Sequence, residues 1–276
     1  MRHEGTCYEL VGMRPHDHIG WVFDGPGDFE ELARRYLAEG MARRELLMFV
    51  AEDPDPEVVG DLADFGREGS VQVASIAEVY GDSGIVDPEG QRATFASVLE
   101  QALADGYSGI RVAADNTPLV VDPVRLDAWR NWECVADRFM SENAVTGLCA
   151  FDRHQVDVDQ LRHLATLHPL VSATTPAPQF RLFVDDEALW VDGLLDTFAI
   201  SEVHRALQAL GPKTPLVIEL NRVTFMSERV FAELASLSER SIEVTLQGSA
   251  ESLRSARLAT GFGREHLHFI EVEGSI

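Results

Sequence analysis

Between residues 18 and 172 the chain alternates short, mostly apolar runs with longer stretches of helical spacing, without an internal sequence repeat. The runs are His18-Ile-Gly-Trp-Val-Phe23, Glu45-Leu-Leu-Met-Phe-Val-Ala51, Ser70-Val-Gln-Val-Ala-Ser75, Gly109-Ile-Arg-Val-Ala-Ala114, Val145-Thr-Gly-Leu-Cys-Ala-Phe151 and His168-Pro-Leu-Val-Ser172. A strand with one wet face alternates apolar and polar residues. These runs do not alternate, so both of their faces must be covered. Helices are expected over 28–42, 92–104, 127–141 and 158–167. In the first, Phe29, Leu32, Ala33, Tyr36, Leu37 and Gly40 share one side, and Asp28 is read as its N-cap. Doubly covered strands that alternate with helices select an α/β fold, a parallel sheet with helices on both faces.

The pattern breaks at Ser172-Ala-Thr-Thr-Pro-Ala-Pro-Gln179, which carries two prolines and no charge. Proline blocks helix continuation and favours extended backbone, so 173–179 reads as a linker between domains 1–172 and 180–276. The second part is a smaller α/β sandwich. Paired strands are expected at 180–184 and 188–191, helices at 198–210, 228–237 and 250–260, and strands at 215–220 and 242–246.

Charge narrows the function. The chain of 276 residues has a net charge of −23. Residues 1–172 hold 31 acidic and 14 basic side chains, against 15 and 9 in the remainder. Nucleic-acid partners need a basic face, and no window here supplies one. Lys213 is the single lysine, so a P-loop lysine, a Schiff base or a Lys–Ser pair elsewhere is excluded. The N-terminus lacks an apolar signal segment, and no stretch reaches the 18 or so apolar residues of a membrane span. A soluble cytoplasmic protein is expected. Cys7, Cys134 and Cys149 are odd in number and widely spaced, which argues against disulfides or a zinc site.

Candidate chemistry lies at the strand ends. The first strand runs into Asp24, the next into Glu52, and later ones into Asp115 and Asp152. In a parallel sheet these ends form a common rim where ligands bind. Alternatively, each acid only caps a turn. Asp24-Gly25-Pro-Gly-Asp28 occupies the place of a phosphate loop, but Pro26 has no N–H, the two aspartates would repel phosphate, and no lysine is at hand. Trp129, Trp132 and Glu133 share one helix and either roof a pocket or pack the core. The candidate ligand-binding rim is therefore His18, Asp24, Gly25, Glu52, Asp115, Trp129, Glu133 and Asp152. The other histidines have no metal-ligand spacing and read, with His168, as surface or capping residues. Cys134 and Cys149 read as buried structural thiols. There is no GxSxG nucleophile motif. No catalytic residue, metal or cofactor is expected.

Several of these segments resemble a known family in order and content: His18-Ile-Gly-Trp-Val-Phe-Asp24, Tyr36-Leu-Ala-Glu-Gly40, Glu45-Leu-Leu-Met-Phe-Val50, Gly106-Tyr-Ser-Gly-Ile-Arg-Val112, Trp132-Glu133, Thr146-Gly-Leu-Cys-Ala-Phe-Asp152 and His168-Pro169. Together they are similar to the MEDS domain, the methanogen/methylotroph sensory domain. The resemblance implies a KaiC/RecA-like fold with a decayed phosphate loop and a role in sensing small molecules. In the second part, Leu189-Trp-Val-Asp-Gly-Leu-Leu-Asp196 and Pro215-Leu-Val-Ile-Glu-Leu-Asn-Arg-Val-Thr-Phe225 resemble a STAS domain, the fold of anti-sigma-factor antagonists. Antagonists of this type carry Phe-Ile-Asp-Ser with a phosphorylated serine. Here the run is Phe225-Met-Ser227-Glu228, which places a permanent negative charge at the acceptor position, or leaves Ser227 as acceptor if the register slips.

These readings imply a non-catalytic cytoplasmic regulator. A small molecule would bind the first domain, and an anti-sigma factor or kinase-like regulatory protein would bind at Ser227–Glu228. Neither nucleic acid nor a membrane is an expected partner, and self-association is left open. The alternatives are a metal-dependent enzyme built on the acidic rim and a pure protein-interaction scaffold.

Overall fold

Asp-Pro pairs set several helix starts. Asp55, Asp87 and Asp122 each accept backbone N–H groups at the head of a helix or 3-10 turn whose first residue is proline. Proline's fixed φ suits that first position, where its missing N–H would have had no partner. The computed structural model describes residues 2–65, 70–185, 188–210, 216–239, 243–254 and 267–272. Lys213, the turn at Asp186-Glu187 and the second half of the helix expected over 250–260 lie outside these residues. The chain divides into compact units 1–177 and 178–276.

The first unit contains strands β1 (Gly5–Cys7), β2 (His18–Phe23), β3 (Leu46–Ala51), β4 (Val71–Ser75), β5 (Ile110–Asp115), β6 (Val145–Asp152) and β7 (Leu170–Ser172). They form one sheet in the order β1-β7-β2-β6-β5-β3-β4, parallel throughout. The helices are α1 (Pro26–Ala42), α2 (Gly60–Phe65), α3 (Ile76–Tyr80), α4 (Pro88–Ala104), α5 (Pro123–Glu142) and α6 (Val158–Ala165). The doubly covered parallel sheet is as expected. Strand β1, α2 and α3 are additions. They are short elements whose pairing partners lie far along the chain or whose length is too small for periodicity to register. Helix α1 starts two residues earlier than expected. Gly25, at φ +90°, is its cap without a side-chain bond, and Asp28 instead accepts the Asp24 N–H from inside the first turn.

Alternation along the strands assigns the two faces. Ile19 and Phe23 of β2, Phe49 of β3 and Leu148 and Ala150 of β6 pack with Phe29, Ala33, Tyr36 and Leu37 of α1. The intervening residues of β2 and β6, among them His18 and Cys149, face α5 and α6.

The second unit contains β8 (Phe180–Asp185), β9 (Ala188–Leu195), α7 (Ile200–Leu210), β10 (Leu216–Met226), α8 (Glu228–Glu239), β11 (Val244–Gly248) and β12 (Leu267–Glu271). Its sheet runs β12-β11-β10-β9-β8. Only the β8–β9 hairpin is antiparallel; the other pairs are parallel. Strand β10 continues six residues past the expected end at Leu220. It stays paired to β9 through register shifts at Glu219/Arg222 and Val223/Phe225.

Candidate functional site

Four neighbouring strands, β2, β6, β5 and β3, end on Asp24, Asp152, Asp115 and Glu52, so the sheet does gather these acids on one rim. Three of the four, Asp24, Asp115 and Asp152, already have hydrogen-bond partners. Asp115 accepts the Thr117 N–H at 3.0 Å, and Asp152 accepts the His154 N–H at 2.9 Å and the Gln155 amide at 3.1 Å. Asp24 pairs with the exposed His154 at 2.6 Å. Burial, with Asp152 and Glu52 nearby, raises the Asp115 carboxyl above the usual range despite its bonds to Thr117.

Gly25 stays beside Asp24 as the cap of α1, and the other rim candidates are elsewhere. His18 opens β2, about 20 Å of extended strand from Asp24 (six residues at roughly 3.3 Å). It is fully buried, as are Glu133 and Trp129 on α5. The expected rim is therefore two places, and His18, Trp129 and Glu133 belong to the second. His168 also departs from expectation. It bonds the last turn of α6, as a capping residue would, but it is wholly buried rather than on the surface. An unpaired imidazole in that position would be costly, so its partners matter.

Those partners form a polar cluster in an otherwise apolar layer. His18 Nε2 lies 3.1 Å from Glu133 Oε2 and 3.5 Å from Cys149 Sγ. Cys149 Sγ is 3.9 Å from the same carboxylate oxygen. His168 Nε2 lies 3.6 Å from Glu133 Oε1. The two imidazole rings sit 4.3 Å apart at 48°. Each ring is fixed from behind. His18 Nδ1–H donates to Asp137 Oδ1 at 3.0 Å, and Arg2 grips Asp137 through both carboxylate oxygens at 2.7 and 2.9 Å. His168 Nδ1–H donates to the Leu164 carbonyl at 2.8 Å. Gly20 leaves the space for the second ring, since a Cβ there would come within 2.9 Å of His168 Cγ.

Electrostatics sort the four groups. Burial alone would lower His18, but its bonds to Asp137, Cys149 and Glu133 hold it well above the ordinary histidine value. Burial would raise Glu133, yet His168 and His18 beside it keep it low. Burial pulls His168 down to about 4, and burial plus Glu133 pushes the Cys149 thiol up to about 11. Glu133 Oε1 and His168 Nε2 have no hydrogen-bond partner.

Cys149 also belongs to an apolar pocket whose walls include Tyr80, Phe95, Trp132, Phe139 and Met140. Its cavity volume is about 20 Å³, room for a molecule of a few atoms. Trp132 stacks on Phe95 at 5.8 Å, and Trp129 meets Tyr80 edge-on at 5.4 Å. The two tryptophans thus build the layer that holds both pocket and cluster. Cys149 and His168 were within reach of sequence reasoning as polar residues inside apolar strand runs. Asp137 and Arg2 carried no such signal.

In the second unit Ser227 caps α8. Its N–H donates to the Leu195 carbonyl at 2.8 Å, and its Oγ accepts the Val230 N–H at 3.4 Å. Glu228 follows as the first helical residue and is exposed. Phe225 and Leu194 are register partners just ahead of this turn, with exposures of 52% and 40%.

A search of curated proteins finds no match to the chain. The family described as MEDS, MEthanogen/methylotroph, DcmR Sensory domain, matches residues 17–169, which contain His18, Glu133, Cys149 and His168. That match spans more than half of the chain and the whole of the sheet apart from its β1 edge and the last strand, so the protein belongs to the MEDS sensory-domain family.

Proposed function

We propose that this protein is a non-catalytic signalling regulator whose first unit receives a small apolar molecule and whose second unit passes the signal to a protein partner. The observation that carries the first half is the apolar pocket closed by Trp132, Phe95 and Phe139, with the buried polar cluster at its Cys149 wall. An apolar pocket with a few convergent polar groups is the usual form of a small-ligand site. The size of this one favours a ligand of a few heavy atoms. The rim acids argue less for a ligand, because Asp115 and Asp152 serve turns and Asp24 pairs with His154. The sheet of the first unit is compatible with descent from a KaiC/RecA-like ATPase whose phosphate loop is gone, since no lysine follows β2 and Pro26 removes an amide.

The second unit reads best as a STAS-like partner module. Support comes from the exposed apolar pair Leu194 and Phe225, set beside the negatively charged start of α8. Phosphate at a helix N-terminus would act by the same charge that Glu228 supplies permanently. An anti-sigma factor or a kinase-like relative is the partner class that this surface suits.

Titration with xenon or short-chain alcohols while following tryptophan fluorescence tests the first half. A saturable change is expected, lost in Trp132→Phe as signal and in Ala136→Leu as binding. A linear, unsaturable response in the intact chain would count against the pocket. For the second half, affinity capture from the host with wild-type and Glu228→Lys chains is expected to recover an anti-sigma or kinase-like protein with the former only. Equal recovery by both would remove Ser227–Glu228 from the interface.

A further inference from the structure

We propose that His18, Glu133, Cys149 and His168 form a transition-metal site of the zinc class, one ion held by two imidazole nitrogens, a thiolate sulfur and a carboxylate oxygen. One donor atom from each of the four lies within 4.8 Å of all the others. A tetrahedral ion with bonds of about 2.0–2.3 Å needs donor–donor edges of about 3.3–3.8 Å. His18 Nε2, Glu133 Oε2 and Cys149 Sγ lie 3.1, 3.5 and 3.9 Å apart, which brackets that range, and His168 Nε2, 3.6 Å from the other carboxylate oxygen, completes the set within the 4.8 Å limit.

Three independent features point the same way. The first is the orientation of the rings. A carbonyl and an ionised carboxylate can only accept, so both Nδ1 atoms carry protons, and both Nε2 atoms turn inward. Ligand histidines are commonly oriented in this way, with the outer N–H on a carboxylate or a carbonyl. Second, two buried atoms in the cluster have no partner. Glu133 Oε1 and His168 Nε2 face each other at 3.6 Å, both fully buried, and neither is in a hydrogen bond. The Nδ1 bond to Leu164 leaves Nε2 as the ring atom facing Glu133 Oε1, at a separation too long for a hydrogen bond. A cation between them resolves that contact. The third is the donor chemistry. A set of N, N, S and O suits zinc, cobalt or iron rather than calcium or magnesium, which take oxygen. Binding requires the Cys149 thiolate and both Nε2 lone pairs, so any proton these atoms carry is released to solvent as the ion enters. The burial of all four donors favours a closed, structural or sensory ion.

Metal binding requires no small ligand, so its outcome is independent of the pocket reading above. Full-length protein stripped with a chelator and checked by circular dichroism is titrated with Co²⁺. Expected are tetrahedral d–d bands and a thiolate-to-cobalt charge-transfer band, saturating at one ion per chain and displaced by Zn²⁺. Cys149→Ser removes the charge-transfer band, His168→Gln weakens binding, and Asp137→Asn costs about 10–100-fold in affinity through loss of ring orientation. A folded wild-type chain that binds less than one ion, or binds without the charge-transfer band, overturns the proposal. Affinity unchanged in both Cys149→Ser and His168→Gln places the ion elsewhere and overturns it too. In either case the cluster is a buried ion-pair network only.

Discussion

Arg111 shows how one residue can organise a face of the sheet. It sits inside β5 with no exposure, its guanidinium bonded to Glu45 at 2.5 Å and to the Met13 carbonyl at 2.8 Å, and stacked 4.7 Å over the Tyr36 ring. Gly40 of α1 is the concession to it, since a Cβ there would lie 2.6 Å from Arg111 Cδ. Removing one member of a buried pair strands the other charge. Arg111→Met is therefore expected to cost about 3–5 kcal/mol in denaturant unfolding, and Arg111→Met with Glu45→Met considerably less. Asp115 gives a prediction of opposite sign. Burial raises its folded-state pKa above the unfolded value, so its favourable contribution is present at low pH and is lost as pH rises through the folded value. Asp115→Asn keeps an oxygen for the Thr117 N–H. It is expected to raise the melting temperature at pH 7 and to leave it unchanged near pH 3. An equal shift at both pH values would show that the charge is not the cause.

At the scale of elements, the helix starts were partly legible and the functional cluster was not. Asp122-Pro123 announces α5, and Asp122 Oδ1 accepts the Val124 and Arg125 N–H groups at 2.9 and 3.0 Å. Losing that cap in Asp122→Ala is expected to cost about 1 kcal/mol, measured by chemical denaturation. Because α5 carries Glu133 and Asp137, metal affinity should fall with it. Gly20 in β2 marks the closest approach between the strand and His168. Gly20→Ala is expected to destabilise the fold by about 1–3 kcal/mol and to weaken cobalt binding, because the ring cannot move without losing Leu164. The expected Asp28 cap failed for a related reason. Gly25 and Pro26 already meet the backbone requirements of the start of α1, so Asp28 was left to bond the loop.

Across the whole molecule, charge is uneven and the two units are separate bodies of contact. Residues 1–172 carry 31 acidic and 14 basic side chains, and repulsion within that unit is screened by salt. Raising ionic strength from about 10 mM to 150 mM is expected to raise the melting temperature of the first unit more than that of the second. Calorimetry of the whole chain and of residues 1–177 would show it, and equal shifts would argue that the acids are already balanced by their local partners. No helix among the described residues is long and apolar enough to cross a membrane.

The division between sequence and structure follows from what each kind of pattern records. Periodicity reports which face of a segment is buried, and burial on both faces is written into consecutive residues of β3, β5 and β6. Hence the doubly covered parallel sheet and the absence of a lysine near the first loop could both be read along the chain. Those same local terms also made the family recognisable, because its motifs are the strand and turn segments themselves. What the chain does not record is who neighbours whom. The sheet places β6 beside β2 and β7 on its other side, out of sequence order. Only that order brings His18, Cys149 and His168 against Glu133. Taken singly, each is a buried polar residue with a burial cost and no visible partner. Their meeting, and the two unsatisfied atoms that give it chemical meaning, belong to the tertiary structure alone.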